Sequence, residues 1–132
     1  MSRQFHIIYA KRTRENYRNI VRGMIVQAKN EIKLYHRDKN AIYLLQAGEK
    51  CYNITVQIVN LYRIEKGLPL TTDHKQVRQF YRKKHIRQDT LNKLSIYGNR
   101  LHSNFYNHNL NDKVALKYCN YIINVAKRYF KI

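Results

Sequence analysis

A single proline, Pro69, and four glycines are the only strong helix breakers in 132 residues. A sandwich or barrel of this length needs a turn signal roughly every 8–12 positions. The sequence does not supply them, so the chain is expected to be all-α, built from long helices. Its length suits one domain, or a small core with an arm, and is short of two ordinary domains.

Apolar spacing places the helices. Residues 1–12 show no clear period and carry Arg3, Lys11 and Arg12, which reads as a basic arm. From Thr13, taken as an N-cap, Tyr17, Ile20, Val21, Met24, Ala28, Ile32 and Tyr35 recur with the helical rhythm to about Arg37, a helix of roughly 24 residues. A second periodic segment, about Asn40 to Glu65, turns Leu44, Leu45, Cys51, Ile54, Thr55, Ile58, Val59 and Tyr62 inward. It stops at Gly67 to Pro69, a C-cap glycine followed by proline. Thr71 to His74 offers the start of a short helix through Val77, Phe80 and Tyr81. A fourth begins at Asp89 or Thr90, with Leu91, Leu94, Gly98, Leu101 and Phe105 on one stripe. Asn111 and Asp112 cap the last, which buries Ala115, Tyr118, Cys119, Ile122, Val125, Ala126 and Tyr129. The expected organisation is a basic arm and long helix over residues 1–39, then a four-helix bundle over 40–132.

Charge points to a partner. Lys and Arg number 26 against 8 Asp and Glu, a net charge of +18. Self-repulsion on that scale is relieved by a polyanion, nucleic acid before an anionic membrane surface. Arg14, Arg18 and Arg22 stand four apart, stacking like charges on one side of a helix. At 100° per residue, Lys11, Arg14, Arg18, Arg22, Lys29, Lys33 and Arg37 fall within an arc of roughly 140°, beside the apolar stripe. Such a helix offers one flank to protein and another to phosphates. A second basic cluster, RQFYRKKHIRQ at 78–88, gathers Arg78, Arg82, Lys83, Lys84, His85 and Arg87 around Phe80 and Tyr81. Cations interleaved with aromatics bind phosphates and stack on exposed bases, although these two rings also fit a core stripe.

Catalytic and metal chemistry find little support. The eight acids are scattered singly, and His6, His36, His74, His85, His102 and His108 lack ligand spacing. The two cysteines, Cys51 and Cys119, sit within apolar patterns; they read as small core residues, or as a disulfide in an oxidising setting. No apolar run reaches the roughly 18–20 residues that span a bilayer, and no secretory signal pattern opens the chain. The expectation is a protein made inside a cell, or packaged from there, with no enzyme activity and no cofactor.

Two resemblances follow from longer stretches. NRLHSNFYNHNL at 99–110, with QAGEKCYNITVQIVNLYRIEKG at 46–67 before it, resembles the HEPN helical-bundle proteins of archaea over about residues 40–131. HEPN ribonucleases act through an Arg and a His four to six residues apart; here Arg100 and His108 are further apart, while Arg78 and His85 keep the spacing. The whole chain, Tyr-rich and basic with MSRQFHIIYAKRTRENYRNIVR before a compact bundle, resembles the major coat proteins of filamentous archaeal viruses, the lipothrixviruses. That resemblance implies a nucleocapsid subunit that wraps linear double-stranded DNA in a helical filament. It further implies assembly with itself or a related second coat protein in the host cytoplasm, beneath an outer lipid envelope. The residues it carries over are Lys11, Arg14, Arg18, Arg22, Lys29, Lys33 and Arg37. The alternative is a HEPN-like RNA-binding protein or ribonuclease; a cellular chromatin protein would share the same electrostatics.

Overall fold

A computed structural model describes residues 3–65 and 88–132. Among the described residues four α-helices run in order: α1 (Arg3–Asp38), α2 (Ala41–Glu65), α3 (Gln88–Asn107) and α4 (Asp112–Phe130). No strand occurs among the described residues, as an all-α chain requires. The cluster at 78–87, the Gly67 to Pro69 stop and the expected short helix through Phe80 lie outside them.

Three helix starts match the periodicity within a residue or two, and one differs. α1 starts at Arg3, so Thr13 lies in mid-helix and the expected arm over 1–12 is helical from Arg3 onward. No Pro or Gly stands upstream of Gly23 to break the helix, so the apolar period that begins at Tyr17 does not mark its start. The described side chains of α1 begin at Thr13.

Side chains and left-handed residues make the turns. Lys39 adopts φ 55° and its N–H donates to the Tyr35 carbonyl at 2.7 Å, an αL stop after α1. Asn40 Oδ1 then accepts from Ile42 N–H at 3.0 Å to open α2. Between α3 and α4, His108 sits at φ 51° and donates to the Asn104 carbonyl, while buried Asn104 Oδ1 accepts from Leu110 N–H at 2.8 Å. Asn111 is the α4 N-cap, its Oδ1 accepting from Val114 N–H at 2.9 Å, as its place in the sequence predicts.

The core centres on α2, which packs against α1, α3 and α4. Successive helices are antiparallel: Lys50 pairs with Glu31 while Glu65 meets Arg14, and Gly98 faces Thr55 while Leu101 lies on Gly48. Gly48 and Gly98 both permit close packing of α2 on α3, because a Cβ at either would lie 3.2 Å from the facing side chain, Leu101 or Thr55. The expected boundary at residues 39 and 40 coincides with the α1–α2 turn. Across it, Val21, Ile25 and Ala28 of α1 join Ile54, Ile58, Leu61, Leu94, Leu101 and Ile122 in one buried cluster. Ile25 takes the inward place expected of Ile20, which is 49% exposed.

Candidate nucleic-acid interface

The arginine ladder divides. Arg14 Nη1 donates to Glu65 Oε1 at 2.8 Å, and its Nη2 donates to the Tyr129 carbonyl at 2.7 Å. Arg18 Nε donates to the Phe130 carbonyl at 2.9 Å and Nη2 to the Lys131 carbonyl at 3.0 Å. A helix leaves its last carbonyls without intrahelical partners and its C-terminus partly negative. The α4 C-terminus is closed from within by Lys131 in the αL conformation, whose N–H donates to the Lys127 carbonyl. Arg14 and Arg18 supply further donors from α1, to the carbonyls of Tyr129, Phe130 and Lys131. Arg14 also lies over the Tyr129 ring, its guanidinium carbon 4.9 Å from the centroid. Burial opposes its charge, but Glu65 and then Tyr129 outweigh that and hold it above the ordinary arginine range.

The rest of the stripe faces solvent. Arg22, Lys29 and Lys33 are exposed and make no ion pair among the described residues. Arg37 pairs with its neighbour Asp38 at 2.7 Å. Arg3, Lys11 and Arg12 lie on the first turns of α1, where side chains are not described. Arg78, Arg82, Lys83, Lys84 and Arg87 lie outside the described residues.

One member of that stripe, Lys29, reaches α4. Lys29 and Lys127 of α4 stand against each other; contact with Lys127, then burial, pulls the Lys29 ammonium below the ordinary lysine range. Two adjacent ammonium groups without a carboxylate repel, and an anion between them removes that cost. Along its solvent side α4 exposes Lys113, Lys117, Asn120, Asn124 and Arg128, with Lys131 exposed at its C-cap, and its only acid is Asp112 at the N-terminus. The far flank of α4 is lined by α3. Arg100 Nη1 donates to the Tyr118 hydroxyl at 2.7 Å, and Lys93 lies over the Tyr121 ring at 5.9 Å. Tyr97 stacks on Tyr118 with centroids 4.1 Å apart and meets Tyr121 edge-on.

Lys29 of α1 thus meets α4 on one flank at Lys127, and Lys93 and Arg100 of α3 meet its tyrosines on the other. Glu31 is drawn away to Lys50 of α2. Sequence reasoning placed candidate anion-binding residues on α1 and at 78–87 and named none on α4. The same projection would have found them, since Lys113, Lys117, Arg128 and Lys131 fall within roughly 60° of arc.

A second polar cluster lies between α2 and α3. His102 Nδ1 is 2.9 Å from Glu49 Oε2, and the ring stacks on Tyr52 with centroids 4.3 Å apart. Tyr106, 67% exposed, meets His102 edge-on. No group of three or more potential metal ligands comes together among the described residues. No described helix is long and apolar enough to cross a membrane. No family model, curated protein or solved structure matches the chain.

Proposed function

We propose that the protein is a structural nucleic-acid-binding subunit that lays the α4-centred face along linear double-stranded DNA and assembles on it as the coat of a helical filament. The observation that carries this reading is that exposed Lys113, Lys117 and Arg128 of α4 are flanked by Lys29 at Lys127 and by Lys93 and Arg100 at Tyr121 and Tyr118, while the helix's own acid lies at its far end. Contacts of this kind hold phosphates, release counterions and position the protein without reading bases. At the standard rise α4 is about 28 Å long, close to one turn of duplex. The filament, a self or second-coat partner, an envelope and a place in a virion extend the proposal through the coat-protein resemblance. Electron microscopy of the protein with long linear duplex at low salt tests it. Regular filaments of constant diameter that require DNA are expected; discrete soluble protein would overturn the coat reading.

A second reading draws on the Glu49–His102 pair within the HEPN-like run. A carboxylate that orients an imidazole equips it for proton transfer, and Tyr106 beside it offers a ring to a base. On this reading the bundle binds or cleaves RNA. Metal-independent RNA turnover lost in His102→Ala would support it, and intact RNA after prolonged incubation would remove the cleavage part.

A further inference from the structure

The only two cysteines in the chain are 68 positions apart in sequence, and the fold brings them together. The Cys51 thiol of α2 points at the backbone of Cys119 in α4, its Sγ 3.8 Å from that carbonyl oxygen. Both side chains have no exposed surface. The helices carrying them run parallel, because Arg14 touches the C-terminal ends of both, at Glu65 and at Tyr129.

The seam is also narrow by composition. One turn before each cysteine stands a buried alanine, Ala47 before Cys51 and Ala115 before Cys119. Helices lined by large side chains pack roughly 8–10 Å apart, whereas a disulfide needs Cα atoms about 4.4–6.8 Å apart. A small buried side chain one turn before each cysteine leaves room for such an approach.

We propose that Cys51 and Cys119 form a modification site: a dithiol that a low-molecular-weight disulfide oxidises to an intrachain cross-link between α2 and α4. One thiolate attacks the reagent, forming a mixed disulfide and releasing one reduced thiol. The other thiolate attacks the mixed disulfide, forming the Cys51–Cys119 bond and releasing the second. Two protein thiols are oxidised, one reagent disulfide is reduced, and the thiol protons pass by way of solvent to the released thiolates. In the closed bundle, contact with Cys119 and burial hold the Cys51 thiol well above the ordinary cysteine range. The thiolate is therefore formed while the seam opens or folds, not in the packed core.

The test is refolding of the full chain from denaturant with oxidised glutathione, followed by alkylation, intact mass and thermal unfolding. The expected product is monomeric, lower in mass by two hydrogen atoms and closed to alkylation. Its melting temperature should rise by roughly 10–20 °C over the reduced chain, because closing a loop of this length constrains the unfolded state. Cys51→Ala and Cys119→Ala, each folded by circular dichroism, should show neither mass loss nor shift. Persisting alkylatable thiols, stable glutathione adducts, covalent dimers, or a cross-linked chain that melts lower would each overturn the proposal.

Discussion

Arg14 and Arg18 carry the same charge on the same helix as Arg22 and Lys33, yet the fold gives the two pairs opposite employment. The first pair reaches across to the end of α4 and closes its carbonyls; the second stays exposed along the side of the bundle. A run of like charges at helical spacing therefore defines a direction and not a partner. The partner is whatever negative potential the fold brings within reach, and the end of a helix provides one as a phosphate does.

The comparison is broken most directly on the free half. Reversing Lys117, Arg128 and Lys33 to Glu should lower duplex affinity at low salt by at least about 100-fold, since three phosphate contacts become repulsions. Thermal unfolding should move little, because all three side chains are exposed. Unchanged affinity in a gel-shift titration would take the interface off this face.

The capping half should respond in the opposite sense. Arg18→Ala removes two charge-assisted hydrogen bonds to α4 and should cost about 1–3 kcal/mol in denaturant unfolding, with the salt dependence of DNA binding nearly unchanged. Arg14→Ala should cost a similar amount. A stable Arg18→Ala chain with weakened DNA binding would return that arginine to the interface. At the other end of α4, Asn111→Ala deletes the N-cap and should cost about 1 kcal/mol by the same measurement.

The smallest effect is alkaline. Burial, and then the charge of Glu65, raises the Tyr129 hydroxyl above the ordinary tyrosine range, with Arg14 opposing them. The folded state thus holds that proton more tightly than the unfolded chain. Stability from this group is complete below the unfolded value of about 10 and is lost as pH rises through the folded one. Tyr129→Phe should flatten the fall in melting temperature above pH 10; an identical fall in both chains would contradict the assignment.

Much of the fold was legible where one side chain decides one local bond. Asn111 announced its helix through the N-cap preference, and the stripes of α2 and α4 followed from period alone. The start of α1 was not legible, because residues 3–12 become helical without an apolar face to signal it. The destinations of Arg14 and Arg18 were hidden for another reason: their carbonyl acceptors lie more than a hundred residues away, and no local pattern encodes a helix end arriving from there. Glu49 and His102, 53 positions apart, escaped in the same way. The α4 cations were open to view in the sequence and were overshadowed by the denser cluster at 78–87.

The central claim is that exposed cations around α4 hold duplex phosphates while the inner arginines hold the fold. The most direct test is the affinity of the intact chain for a short duplex between 50 and 200 mM salt. With six to ten phosphates engaged, affinity should fall by roughly 10³–10⁵ over that range. The slope should drop by about 1.8 in Lys117→Ala/Arg128→Ala and stay unchanged in Arg18→Ala. A flat response in the parent chain, or a slope that Arg18 controls and Lys117 and Arg128 do not, would contradict the account.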